Sequence, residues 1–202
     1  MLAEILALLI AQSSWLTAKI NFMSTIDQYN RVIQLCEDIF LKKTTDYGTS
    51  WRVLRTISVV DQIYIKAYRI RTIQELGKQK VGDDIQGEFI GIINYGVIGL
   101  IQLELTENDE EELAAETVKE FYDKYIGAAQ NLMQAKNHDY GEAWRQMSQE
   151  SFVDLILMKL QRMRQILSNK GVTLISEGLD ANYYDMINYA VFALILLNES
   201  KT

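Results

Sequence analysis

The chain has 202 residues, 49% of them hydrophobic and 23% charged, so it can bury a sizeable core without help from disulfides or metal. Its one cysteine, Cys36, excludes an internal disulfide and reads as a small buried hydrophobe, in keeping with a reducing cytoplasm. A net charge of −7 argues against bulk DNA or RNA binding, which needs an excess of cations to neutralise phosphates, but leaves room for one small nucleotide held by a few local cations.

There is no proline, which favours long helices with short connections. Residues 1–23 stand apart from the rest of the chain. The apolar run from Ile5 to Ala11 is too short to cross a bilayer, which takes about 20 residues. No basic residue precedes it, since the first charge is Glu4 and the next is Lys19. The segment reads as an extra helix or a mis-called start ahead of Met23, and no membrane association is expected.

Residues 24–105 read as a helical repeat. Ser24 and Asp27 mark a capped start, and Ile26, Tyr29, Ile33, Cys36 and Phe40 form one buried stripe. Lys42-Lys43 suits the end of that helix, with Asp46-Tyr47-Gly48 as a turn. A short helical piece carries Trp51. The pattern Ser58 to Asp61 predicts a second capped helix running to about Leu76, with Ile63, Ala67, Ile70 and Ile73 inward. After a loop flanked by Gly77 and Gly82, a third helix from about Asp84 to Leu105 is apolar nearly all round, hence central.

Residues 106–112 form an acidic linker, and 113–202 repeat the layout. The expected helices run to about Lys136, from Ser151 to about Leu167, and from about Leu179 to Asn198, with the Asp139-Tyr140-Gly141 turn and Trp144 between the first two. No strand pattern competes, since Thr173-Leu174-Ile175 is too short to build a sheet. The expected fold is all-α: a duplicated helical module forming a compact bundle with internal pseudo-two-fold symmetry.

The duplication is explicit. Lys43, Asp46, Tyr47, Gly48, Trp51 and Arg52 return as Lys136, Asp139, Tyr140, Gly141, Trp144 and Arg145, 93 residues on. At the same spacing Ser58, Asp61, Lys66, Arg69 and Arg71 return as Ser151, Asp154, Lys159, Arg162 and Arg164. Asn94-Tyr95 returns as Asn188-Tyr189, 94 residues on.

The repeated polar residues are the place to look for chemistry. Asp185 and Asn188 share one face of an apolar helix, with Glu177 on it or just before it. A carboxylate there is costly unless it is paired or metal-bound. Together with Asp139 they form the candidate catalytic set Asp139, Glu177 and Asp185, with magnesium expected on Glu177 and Asp185. Lys159 and Arg162, three residues apart, face together and suit a phosphate. Lys136, Tyr140, Trp144, Asn188 and Tyr189 complete the candidate substrate contacts. The first repeat offers Lys43, Asp46, Tyr47, Lys66, Arg69 and Asn94. Plainer readings stand beside these: Asp154 as a cap carboxylate, the tryptophans as core anchors, Asp139-Tyr140-Gly141 as an ordinary turn. The repeats differ where Asp185 aligns with Gly91 and Glu177 with Asp83, although Glu88 lies one turn before Gly91. This places any metal in the second repeat. His138 has Thr45 as its counterpart and reads as incidental, so no histidine triad or zinc site is expected.

Lys-x-x-Asp-Tyr-Gly, then Asp…Lys-x-x-Arg, then Asp-x-x-Asn-Tyr resembles the nucleotide modification associated domain of the first type, formerly a domain of unknown function. The resemblance covers each repeat, from about Ser24 to Leu105 and from about Glu112 to Glu199. On the second repeat the family pattern falls on Lys136, Asp139, Tyr140, Gly141, Lys159, Arg162, Glu177, Asp185, Asn188 and Tyr189; on the first it falls on Lys43, Asp46, Tyr47, Gly48, Lys66, Arg69, Asn94 and Tyr95. Ala181 and Gly91 depart from it. The resemblance implies an all-α protein of bacteria and phages connected with nucleotides or modified bases. A looser likeness is to the all-α nucleoside triphosphate pyrophosphatases, which hold magnesium on helix carboxylates. The expectation is a nucleotide-binding or nucleotide-processing protein with magnesium-dependent hydrolysis of a nucleoside phosphate. The competing expectation is a non-catalytic interaction or oligomerisation module associated with nucleic-acid modification, forming a homodimer.

Overall fold

The structure is a computed structural model and describes residues 23–78, 82, 84–105, 110–171 and 177–200. The expectations for residues 1–22, for Asp83, for the first part of the acidic linker and for Thr173 to Ile175 lie outside these. Among the described residues there are six α-helices and no strand: α1 Thr25–Tyr47, α2 Thr56–Leu76, α3 Ile85–Glu104, α4 Ala115–Tyr140, α5 Gln149–Ser168 and α6 Leu179–Glu199. One-turn 3-10 helices at Ser50–Val53 and Ala143–Gln146 follow α1 and α4.

Helix boundaries follow local chemistry, with three corrections to the expected ones. Ser24 caps α1 by accepting from the Asp27 amide at 3.2 Å, as expected. The helix then continues through Asp46-Tyr47 and stops at Gly48, whose φ is +59° and whose N–H reaches the Thr44 carbonyl at 2.9 Å. Gly141 (φ +62°) ends α4 in the same way on the Asn137 carbonyl. The Asp-Tyr pair thus belongs to the last helical turn and the glycine alone makes the exit, because it takes a left-handed conformation without a Cβ clash. Ser58 and Ser151 are not caps. Helix α2 begins at Thr56, and Ser148 caps α5 by accepting from the Ser151 amide at 3.2 Å. No described helix is long and apolar enough to cross a membrane.

Helices α3 and α6 pack against each other at the centre, α2 lies on α3, α5 lies on α6, and α2 meets α5. The central crossing depends on small residues. A Cβ at Gly96 would lie 2.8 Å from Ile187 Cγ1, and one at Gly99 would lie 2.3 Å from Tyr183 Cζ. Helices α1 and α4 each touch both central helices.

The repeats are bound by contacts that exchange. The Tyr29 hydroxyl on α1 donates to Asn188 Oδ1 on α6 at 2.9 Å, and the Tyr122 hydroxyl on α4 donates to Asn94 Oδ1 on α3 at 3.1 Å. The same amides donate within their own repeats, Asn188 to the Ala129 carbonyl at 3.0 Å and Asn94 to the Cys36 carbonyl at 3.1 Å. Burial pushes both phenols far above their ordinary value, so both stay protonated donors. Arg164 pairs with Asp61 at 2.7 Å, and its counterpart Arg71 pairs with Asp154. The contact of residue i with j is matched by that of j with i, which is what a two-fold axis produces.

Candidate functional site

The two repeats use their shared polar residues differently. In the second, Asp185 sits on α6 with its side chain 7% exposed. One oxygen accepts from Lys136 Nζ, near the end of α4, at 2.6 Å; the other accepts from Lys159 Nζ on α5 at 2.5 Å. Burial alone would raise this carboxyl, but the hydrogen bonds from Lys136 and Lys159 outweigh it and hold it below its ordinary value. Burial pulls Lys136 down and the Asp185 carboxylate pushes it up more strongly, so it ends raised. Tyr189 is raised by burial and by Asp185. Glu177 is exposed and lies within electrostatic reach of Lys136 and Tyr189, as does exposed Arg162 of Tyr189.

The expected catalytic set does not assemble. Both oxygens of Asp185 are engaged by ammonium groups, and Asp139 is solvent-exposed beside His138. Among the described residues no three His, Cys, Asp or Glu side chains are grouped to hold a metal. Asp139, Glu177 and Asp185 are therefore not gathered into one three-carboxylate group. Asn188 has its carbonyl and amide engaged by Tyr29 and Ala129, away from Asp185's partners. Trp144 is a core residue, stacked on Phe192 at 4.2 Å, with the Arg145 guanidinium 4.4 Å from its ring centre. Tyr140 is 74% exposed. Arg145 also donates to Glu142, Glu199, Gln28 and Thr25, fastening this turn to the start of α1. Arg52 does the equivalent with Gln102 and the Glu110 carbonyl ahead of α4.

In the first repeat the carboxylate is displaced by one turn. Glu88 accepts from Arg69 and, at 3.3 Å, from Lys66. Gly91 stands at the Asp185 position, and the Lys66 side chain leans across it, with Cδ and Cε 2.7 Å from where a Cβ would be. Ile98 replaces Phe192, so among the described residues nothing aromatic stacks on Trp51 in the way Phe192 stacks on Trp144. These two reductions in size accompany a cavity of about 830 Å³, lined by Phe40, Lys43, Tyr47, Trp51, Lys66, Glu88, Gly91, Asn94, Tyr95 and Ile98 among others. Lys66 Nζ lies 5.8 Å from the centre of the Tyr95 ring, within cation–π reach. The Trp51 indole N–H is buried without a hydrogen-bond partner, as is that of Trp144. Lys43, the counterpart of Lys136, has no carboxylate to meet at Gly91. Asp46 is exposed and outside the cavity lining.

Five of the first repeat's candidates thus share one cavity or its wall: Lys43, Tyr47, Lys66 and Asn94 line it, and Arg69 braces Glu88. The apolar wall of Ile39, Phe40, Leu54 and Ile90 was not expected. Its signal was Gly87 and Gly91, one turn apart on α3, on a different part of the helix from the Gly96 and Gly99 that meet α6.

The shared geometry of the two halves coincides with a family match. The family model described as Nucleotide modification associated domain 1 matches residues 43–103 and again 136–197. The chain belongs to this family. Its two family segments each begin at the lysine that faces the site, Lys43 and Lys136, and run through the third helix of their repeat. No curated protein and no solved structure matches the chain.

Proposed function

We propose that this member of the nucleotide modification associated domain 1 family binds a nucleotide-class ligand in the cavity of its first repeat. The carrying observation is one concave site that joins aromatic walls, Tyr47, Trp51 and Tyr95, to two lysines, Lys43 and Lys66. Its volume lies inside the range of about 300–1,000 Å³ usual for small-molecule sites. The rings suit a base, by stacking, and the ammonium groups suit a phosphate. The family's description supports the same ligand class. The reading covers binding, and magnesium-dependent hydrolysis is left to the test below.

The test is a thermal-shift panel of standard and modified nucleoside mono- and triphosphates, with and without magnesium, with phosphate release read from the same samples. A ligand bound only by the folded chain stabilises it by about 2.7 kcal/mol at a hundred times its Kd. A folded protein that no nucleotide shifts at millimolar concentration would sink the proposal.

One observation supports the second reading, a non-catalytic interaction module. Several repeated residues outside the cavity hold the repeats together: Asp61, Arg71, Asp154 and Arg164 as exchanged ion pairs, and Arg145 as a brace. That reading predicts unchanged melting in every nucleotide and a molecular mass, by light scattering, above that of one chain.

A further inference from the structure

The second repeat contains, as its own side chain, what the first repeat leaves open. Asp185 puts a carboxylate between Lys136 and Lys159, 2.6 and 2.5 Å from the two ammonium groups. Lys43 and Lys66 are their counterparts, and both line the first cavity together with Gly91, where that carboxylate is missing. Two acids line this cavity: Asp84 caps α3 by accepting from the Gly87 amide at 2.8 Å, and Glu88, a turn before Gly91, engages Lys66 only at 3.3 Å while binding Arg69. Lys43 lines the cavity with no carboxylate partner among the described residues. Two cations that line one cavity beside a glycine, with the geometry of an anion already displayed in the sister repeat, mark a subsite for an anion.

We propose that the cavity beside Gly91, where Lys43 and Lys66 line it, receives the anionic group of the ligand, and that Asp185 takes the corresponding place in the second repeat. The chain then takes one anionic ligand, in its first repeat, and the second site is closed by an internal mimic. This assigns the phosphate end of the cavity proposed above and rests on that reading for the nucleotide, but not for the anion. The ligand end that binds is a phosphate or diphosphate, since two ammonium groups on one cavity wall suit a compact oxyanion.

Exchanging the two acid positions tests it. Asn182 aligns with Glu88 and Asp185 with Gly91. The pair Asn182→Glu with Asp185→Gly rewrites the second repeat in the pattern of the first and keeps an acid near Lys159. The pair Glu88→Asn with Gly91→Asp does the reverse. The atoms nearest to the new Cβ at Gly91 belong to the flexible end of Lys66, which can move aside, so the closing pair is expected to fold. Isothermal titration with inorganic pyrophosphate, against sodium chloride of equal ionic strength, is expected to give one site in the natural chain. The opening pair should give two, and the closing pair a loss of roughly ten- to hundredfold in affinity, the scale of one charge-assisted contact. The closing pair should also melt higher than Glu88→Asn alone, with no ligand present, because the carboxylate brought in by Gly91→Asp would pair with Lys66.

Pyrophosphate binding without any nucleotide binding overturns the nucleotide reading and leaves the anion subsite standing. Nucleotide binding that neither pair alters overturns the subsite and leaves the nucleotide reading. No pyrophosphate binding to the natural chain, or a closing pair that melts no higher than Glu88→Asn, overturns the subsite outright.

Discussion

The first and second repeats hold the same lysines on the same helices and do opposite things with them. In the second, Lys159 is as buried as the Asp185 it pairs with, and Phe192 fills the space beside Trp144. In the first, Glu88 sits one turn away from that position, Lys66 and Arg69 keep about a quarter of their side chains exposed, and a cavity separates them from Trp51 and Phe40. A missing carboxylate looks like loss of function when the two sequences are aligned. In three dimensions it accompanies a cavity lined by two lysines, while the retained carboxylate is the one already paired with a lysine on each oxygen.

The sharpest way to expose this difference is to remove each acid's charge. Asp185→Asn leaves Lys159 buried without a counter-ion and is expected to cost about 3–5 kcal/mol, read as a fall in the urea midpoint at constant slope. Glu88→Gln, with partners partly solvated, is expected to cost roughly 1–2 kcal/mol. Equal losses would mean that the repeats are not electrostatically distinct. The pH dependence carries the same contrast. The folded Asp185 carboxyl lies below its ordinary value, so its contribution is fully present above the unfolded pKa of about 3.9 and fades as pH falls through the lower folded value. Lys136 is raised, so its share persists below its unfolded pKa of about 10.4 and is lost as pH rises through the folded one. The stability gap between the natural chain and Asp185→Asn should therefore stay level from about pH 5 to 9 and close on acidification, as measured by parallel urea titrations.

Where the repeats agree, their variants should agree. Asn94→Ala and Asn188→Ala each strip a buried tyrosine hydroxyl of its acceptor, at an expected cost of about 1–3 kcal/mol apiece. A difference between the two above about 1 kcal/mol would contradict the two-fold exchange. The smallest effect belongs to the ion pairs between α2 and α5. Asp61→Ala and Asp154→Ala, whose side chains are about half exposed, should each change stability by no more than about 1 kcal/mol, and less at high salt.

Most of the fold was legible because its signals are local. The stripe of Tyr29, Ile33, Cys36 and Phe40, the apolar run through Phe89 to Ile101 and the repeat itself specify helices, their order and which two lie at the centre. Helix ends were less legible. Ser151 has the capping pattern with Asp154, yet Ser148, with no carboxylate three residues on, is the residue that accepts from the Ser151 amide. Asp46-Tyr47 reads as a turn because aspartate favours turns, yet Gly48 supplies the turn and the aspartate stays helical. The site was legible as a set of residues and not as a place. Lys43, Lys66, Asp185 and Lys136 could all be picked out, but whether a lysine faces a carboxylate or a void depends on a different helix, far along the chain. Asn94 and Asn188 show the same limit: their spacing near Gly91 and Asp185 suggests ligands, and their partners on the other repeat make them structural.

The exchange of Tyr29 with Asn188 and of Tyr122 with Asn94 has a consequence for how such a chain can change. Two separate identical subunits joined across this axis would carry every substitution twice, so a residue that closed one pocket would close both. Tying the copies into a single polypeptide breaks that rule while keeping the interface. Each half still needs the other's tyrosine to complete its central helix, yet position 91 and position 185 have become free to differ. The same bond that makes the halves inseparable is what allows them to have separate duties.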